Sequence, residues 1–270
     1  MSESLTYELL CDDLPPGGSH VLRLRVVEEL SAPYAAHVVL RVDDPDLDLS
    51  ILAGKDAQIV IDREPATRVI SGLIADVRHG FSAGAGQVQT AELLLTPALT
   101  LSSLRRNTRM FQERSAPQIL ETVLGEALSP YGRGVRLELS GSYARREYTI
   151  QYQETDLDFV HRLMEEEGIG YSFDFEGDVE TMVLRDRNDA YPSLGPIAYQ
   201  PSNLYLRGEE PVHDFARRHA TRTTSVVVSD WDWTRGGDMR VTAERRATDA
   251  MGRDRESYEH GSGRNVRVWD

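Results

Sequence analysis

The sequence predicts a mainly β protein with a few helices, an α+β chain, and three observations carry that reading. The first hundred residues hold five or six strand-like runs joined by short turns. Two helical stretches follow, each with its own start and stop signals, and after about residue 190 strand and loop character returns. Hydrophobic residues make up 40% of the chain, enough for a packed core, while recurrent Gly and Pro favour many short elements over a few long helices.

In the first hundred residues, Val21, Leu22, Leu24 and Val26 lie along one strand with Arg23 and Arg25 on its other face. Val38, Val39, Leu40 and Val42 make a second strand, and Ser31–Ala32–Pro33 between them suits a turn or bulge, because proline cannot donate to a ladder. DDPDLDLSILAG reads as an acidic loop and AQIVIDR as the next strand. Residues 67–78 are strand-like with Gly72 as the expected bulge, GFSAGAGQ (80–87) is a loop tip, and QVQTAELLLTP returns. Strands so closely spaced indicate a small antiparallel barrel or sandwich.

The period changes at residues 115–128. Ser115 is a suitable N-cap with Gln118 three residues on, Pro117 is tolerated in the first turn, and Ile119, Leu120, Val123, Leu124, Ala127 and Leu128 repeat at helical spacing. Pro130 and Gly132 stop this helix. The strand REYTIQY leads into a second helix, TDLDFVHRLMEEEG, with Thr155 as N-cap and Asp156 and Asp158 at the positive end of its dipole. Leu157, Val160, Leu163 and Met164 form its buried stripe, and Gly168 is its C′ residue. IGYSFDF and ETMVLRD read as a hairpin turned at Glu176–Gly177–Asp178. TTSVVVSDWDW is the strongest strand of the last third, where Asp230–Trp231–Asp232–Trp233 sets an aromatic face against an acidic one.

The chemistry-bearing residues do not form a reaction site. The single cysteine, Cys11, excludes an internal disulfide and a cysteine-based zinc site, and reads as a small apolar residue or an exposed thiol near a flexible end. A net charge of −14 argues against general nucleic-acid binding. The seven histidines (20, 37, 79, 161, 213, 219 and 260) show no ligand spacing, there is no GxSxG elbow or Walker loop, and Gly54–Lys55 stands alone. His161 and Glu165 are read as an ordinary i,i+4 surface contact. The run Glu165–Glu166–Glu167 opposes its helix dipole; it is either a solvated helix end or a set of ion pairs with arginines such as Arg145 and Arg146 or with a neighbouring subunit, and intramolecular pairing is preferred. No catalytic, cofactor-binding or metal residue is assigned, and no enzyme activity is expected.

One stretch supports a family. REYTIQYQETDLDFVHRLMEEEGIGYSFDF, from Arg146 to Phe175, closely resembles the signature of VgrG and Rhs-type spike proteins of type VI secretion, a strand ending in Q-Y-x-E followed by a helix of the form (S/T)-D-L-D-F-V-x-R-L-(L/M)-E-E-E-G-I. MFQERSAPQILETVL (110–124) resembles the preceding family helix, MVLRDRNDAYP (182–192) the segment after the hairpin, SVVVSDWDW the family strand with alternating acidic and aromatic residues, and ESYEHG (256–261) a variant of its tyrosine–glycine turn.

The resemblance implies a hub of the phage tail type: two small antiparallel β-barrels with a helix-containing segment between them in sequence. The expected division is a first barrel over 1–104, a middle segment with helices and hairpin over 105–195, and a second barrel over 196–270, incomplete at its C-terminus; full-length relatives continue after the second barrel into an oligonucleotide-binding-type barrel and a triple-stranded β-helix. It implies a homotrimer that docks on a hexameric, Hcp-like tube protein and matches it to a trimeric spike, with baseplate components and effectors as further partners, no nucleic acid and no membrane insertion. The N-terminus carries no basic region followed by an apolar one, so assembly is expected in the cytoplasm, followed by translocation with the spike. The alternatives are the hub of a phage tail or of an extracellular contractile injection particle and, from a different class, a hydrolytic effector, which would require His161, Glu165 or Glu166 in a deep pocket.

Overall fold

The computed structural model describes residues 5–63, 66–82 and 88–193 and, beyond these, 195–197, 199, 212, 214–217, 220–229, 252–253 and 255–260. The chain divides into two units, Met1–Ser193 and Leu194–Asp270. Among the described residues no helix is long and apolar enough to cross a membrane.

The first unit begins with a six-stranded antiparallel sheet built from β1 (Thr6–Leu10), β2 (Ser19–Val27), β3 (Ala35–Val42), β4 (Asp56–Arg63), β5 (Ala66–Ser82) and β6 (Val88–Thr96). The strand order is β1-β4-β5-β6-β3-β2, and the edge strands β1 and β2 approach each other, so the sheet is a nearly closed barrel. Alternation fills its interior. Ala36, Val38, Leu40 and Val42 of β3 point inward with Ile59 of β4, Ile70 and Ile74 of β5 and Leu93 and Leu95 of β6, all buried. Each such aliphatic side chain contributes about 1.5–3 kcal/mol on burial.

Four details differ from the sequence reading. Strand β1, buried only through Leu9, went unread because one inward leucine gives no alternation to detect, and Cys11 just after it packs half-buried against the barrel core, where burial raises its thiol pKa. Part of the acidic loop is a short 3₁₀ helix (Leu49–Leu52) that buries Leu49 and Leu52, and the Asp48 carboxylate accepts hydrogen bonds from the Ser50 backbone N–H (3.0 Å) and hydroxyl (2.6 Å). The β2–β3 register shifts between Val21 and Arg23, so Leu22 turns outward and does not share the face of Leu24. The bulge of β5 falls between Ile74 and Asp76, and Gly72 pairs regularly with Ala57.

Gly72 is needed for another reason. A Cβ at this position would stand 2.6 Å from the Thr96 carbonyl oxygen and 2.7 Å from the Tyr34 hydroxyl. Tyr34 is fully buried, donates its hydroxyl hydrogen bond to the Ser71 carbonyl, and meets Phe173 and Phe175 edge-on with ring centroids 5.1 and 5.4 Å away. The bare backbone of Gly72 thus admits the phenol that carries the barrel core into the next layer.

That layer contains α1 (Ala116–Leu128) and α2 (Asp156–Glu167), the ribbon β7 (Arg106–Arg114) with β9 (Arg146–Thr155), and a three-stranded sheet of β8 (Val135–Glu138), β10 (Gly170–Asp174) and β11 (Thr181–Arg185) in the order β10-β11-β8. The helices start and stop where the sequence placed them. Gln118 Oε1 accepts from Ser115 N at 3.0 Å, Thr155 Oγ1 accepts from Asp158 N at 3.0 Å, and Gly168 closes α2 with φ +67°. Ile119, Leu120, Val123 and Leu124 of α1 pack against Phe159, Val160, Leu163 and Met164 of α2 in one core. Residues 110–114, which with 115–124 resemble the preceding family helix, belong to the strand β7, and β8 pairs with β11 in parallel.

A buried arginine, paired within its own layer, also reaches the barrel. Arg133 and Glu180 are 3% and 2% exposed; Arg133 Nε lies 3.0 Å from Glu180 and its Nη2 lies 2.5 Å from Asp56 of the barrel strand β4, while Glu180 also accepts from Ala98 N at 2.8 Å. Burial pushes the Glu180 carboxyl above its ordinary range, and the Ala98 N–H and the Arg133 guanidinium recover part of that shift.

In the second unit, β12 (Ser225–Ser229) and β13 (Glu256–His260) pair in parallel. A pair joined through residues 230–255 has the length of connection that parallel strands require, whereas antiparallel neighbours are commonly joined by short turns. Most of the expected second barrel and the Asp230–Trp233 alternation lie outside the described residues. Gly72→Ala is expected to destabilise the first unit by about 1–3 kcal/mol, read as a lower midpoint in chemical denaturation; an unchanged midpoint would show that the Tyr34 layer yields freely.

Candidate assembly surface

The stretch with the clearest sequence signature builds a two-faced ribbon on the helical layer. In β7 and β9, side chains alternate about the antiparallel register Arg109↔Gln151, Met110↔Ile150, Phe111↔Thr149. The inner face is polar at its centre. Asp156, the first residue of α2, has a fully buried carboxylate. Its Oδ1 accepts from Arg109 Nη2 (2.6 Å) and Gln151 Nε2 (2.8 Å), its Oδ2 lies 3.1 Å from Arg105 Nε in an ion pair not aligned as a hydrogen bond, and its backbone N–H donates to the Arg105 carbonyl at 2.8 Å. Arg109 also reaches Glu126 of α1 at 2.6 Å, so one carboxylate ties both ribbon strands and, through that arginine, both helices. Beside it Phe111 stacks on Phe159 at 5.8 Å.

The acidic end of α2 is tied inward as well. Arg146 Nη1 donates to Glu166 at 2.7 Å and its Nη2 donates to Glu167, while Arg162 bridges Glu154 (2.6 Å) and Glu166 (3.2 Å). These are the intramolecular pairs the glutamate run suggested, made with Arg146. His161 behaves differently from the expected surface contact with Glu165. It is half-buried, stacks on Tyr171 at 5.7 Å, and its Nε2 lies 2.9 Å from the Tyr171 hydroxyl. Burial pushes the imidazole below its ordinary value, and Glu165 and Asp158 restore part of it. Lys55 pairs with Asp13 at 2.8 Å. His213, His219, Trp231 and Trp233 lie outside the described residues, and among the described ones no three His, Cys, Asp or Glu side chains converge as metal ligands would.

The outer face of the ribbon is apolar. Met110, Tyr148, Ile150 and Tyr152 project from it at 60%, 57%, 44% and 68% exposure. Among the described residues β7 and β9 pair only with each other. Each end is marked by a non-glycine residue in the left-handed region, Glu113 at φ +51° and Gln153 at φ +49°. Beyond Glu113 a polar cleft of about 430 Å³ opens among Gln112, Arg114, Gln118, Glu121, Thr122 and Arg145. Sequence reading missed this surface, because β7 was not recognised as a strand.

A nearly closed barrel carrying a helix-and-ribbon layer is the architecture of a phage-tail-type hub module, and comparison with known proteins agrees. The phage tail baseplate hub (GPD) family profile matches residues 27–268, and the chain belongs to that family. It is 33% identical over 230 residues to the type VI secretion system spike protein VgrG1b of Pseudomonas aeruginosa, covering 82% of this chain and 30% of that protein. It is 32% identical over 260 residues to VgrG4b of the same organism, covering 95% and 31%. The chain therefore spans about a third of the length of the curated relatives it matches. Among solved structures, the E. coli c3393 protein, a component of the type VI secretion system with structural similarity to the bacteriophage T4 tail proteins gp27 and gp5, superposes with a TM-score of 0.56 at 24% identity over 65% of this chain and 50% of that one.

Two outcomes follow from the geometry. Asp156→Ala strands Arg109 and Gln151 beside a buried void and is expected to cost about 3–5 kcal/mol, measured by urea denaturation; a loss below about 1 kcal/mol would show that the carboxylate is not the tie described. For His161 the folded value lies below the unfolded one, near 6.5, so the unfolded chain takes up the proton first. The contribution of the neutral ring is therefore complete above that value and declines as pH falls below it. His161→Gln should remove this part of the slope in denaturation midpoints followed between about pH 5 and 8.

Proposed function

We propose that this chain is the hub portion of a VgrG-like contractile secretion spike, adapting a hexameric, Hcp-like tube to a trimeric spike for effector delivery by type VI secretion. The observation that carries the reading is 32% identity to a VgrG spike over 95% of the chain, on a hub fold. In this reading the chain is a homotrimer and a structural part, not an enzyme, with residues 196–270 contributing the second barrel. It assembles in the cytoplasm and is translocated with the spike.

The physical arrangement supports a mechanical role. A spike base transmits axial force, and the ties described above are buried ion pairs and core packing that join barrel, helices and ribbon. Of the groups a hydrolase would use, Glu166 is held by Arg146 and Arg162, and His161 is half-buried against Tyr171. Identity to type VI spikes favours this setting over a phage tail or an extracellular injection particle.

Light scattering of the purified chain with and without the tube protein tests the proposal. The expected result is a complex of three copies with six tube subunits. A chain that leaves the tube protein uncomplexed at every mixing ratio would overturn it.

A further inference from the structure

One ring of the helical layer has two places to sit. His161 of α2 is half-buried on Tyr171, with ring centroids 5.7 Å apart, and its Nε2 stands 2.9 Å from the Tyr171 hydroxyl. Tyr171 is 1% exposed, and among the described residues that nitrogen is the only hydrogen-bond partner of its hydroxyl. A neutral imidazole with its proton on Nδ1 accepts the phenol proton at Nε2. An imidazolium carries a proton on both nitrogens, so Nε2 can only donate, and the buried hydroxyl keeps a proton with no acceptor. The place on Tyr171 therefore suits the neutral ring.

The second place lies one helical turn on. Glu166 and Glu167 are tied inward by Arg146 and Arg162. Glu165, four residues from His161 on the same helix face, is exposed and forms no ion pair among the described residues. A charged ring and a carboxylate at that spacing attract each other. Asp158, three residues before His161, accepts from the Thr155 hydroxyl at 2.7 Å. Among the described residues Glu165 and Asp158 are the charges that act on the ring, and from β10 it meets Tyr171.

We infer that His161 is a proton-operated latch: neutral, it sits on Tyr171 and holds β10 to the β2–β3 turn of the barrel, and protonated, it swings out to Glu165 and loosens that contact. Tyr171 carries the effect because its backbone meets the barrel there. Its carbonyl accepts from the Ser31 N–H at 3.0 Å, and its own N–H donates to Ser31 Oγ at 3.4 Å. Ser31 stands at φ +60°, a conformation that a residue with a side chain keeps only where its contacts hold it. The Tyr171 ring meets Phe173 edge-on at 5.7 Å, and Phe173 meets Tyr34 of the barrel. Burial on Tyr171 disfavours the proton and Glu165 favours it, so proton uptake and the swing are one event. It proceeds as pH falls below the ordinary histidine value, about 6.5.

Nuclear magnetic resonance of the whole chain with isotope-labelled histidine tests the latch, the His161 signals being those absent from His161→Gln. Above neutrality the ring protons should carry the ring-current shift that Tyr171 imposes. On titration from about pH 7.5 to about pH 5 that shift should vanish in step with protonation. Over the same range exchange of the Ser31 amide, corrected for its intrinsic pH dependence, should speed by roughly tenfold, and His161→Gln should abolish the step. Glu165→Gln removes the outer place and should move the titration midpoint to lower pH. Tyr171→Phe removes the buried hydroxyl and should move it to higher pH. A ring that protonates with its ring-current shift retained, a Ser31 amide indifferent to the titration, or a midpoint unmoved by both variants would overturn the proposal. Loss of the far-UV signal over the same range would also overturn it, by replacing local release with global unfolding.

Discussion

The first unit depends on a carboxylate with no access to water. Asp156 sits where the strand β9 becomes the helix α2, and the arginines that answer it are Arg105, just before β7, and Arg109 in its middle. An ionised carboxylate in that position is tolerable only when paired and hydrogen-bonded, so the chain must bring β7, β9 and α2 together in one arrangement for the charge to be buried at all. The interaction therefore acts chiefly on specificity. It excludes registers in which the ribbon slides along α2, since a shift by one residue would turn Arg109 outward and leave the carboxylate alone.

The same constraint explains the reversed polarity of the ribbon. A strand packed on a helical core ordinarily turns apolar side chains inward. Here the inward positions are Asn107, Arg109, Thr149 and Gln151, which serve Asp156 or lie beside it, and Phe111 alone contributes a large hydrophobe to the core. The apolar residues stand on the other face. The barrel follows the usual rule, with its aliphatic residues inward, and the ion pair from buried Arg133 to Asp56 of β4 and the Tyr34–Phe173 contact join the two layers.

This pattern also decides what the sequence could show. The strands β2 to β6 and both helices were legible because alternation and capping were intact: Val38, Leu40 and Val42 on one face of β3, Thr155 and Gly168 at the ends of α2. The ribbon strand β7 was not, because Arg-Asn-Thr-Arg-Met-Phe-Gln-Glu-Arg shows no alternation of apolar and polar residues until its partner Asp156 is known to be buried. Asp156 itself read as a favourable first-turn charge. The pairing of Arg146 with Glu166 and Glu167 was anticipated from composition, whereas the Tyr171 partner of His161 sits across a turn on β10, where helix spacing gives no guidance. The absence of catalytic assignments rested on missing motifs, and family membership rested on the 30-odd residues around α2.

The parallel pairing of β8 with β11 has a consequence for how the chain leaves the ribosome. All six barrel strands are complete by Thr96, so the barrel can close while later residues are still being made. The small strand β8 emerges at residues 135–138 with no neighbour to pair with, and waits through the synthesis of β9, α2 and β10 before Thr181–Arg185 arrives beside it. The helical layer is thus completed last within its unit, onto a barrel already formed, and the loop that closes it spans the family signature.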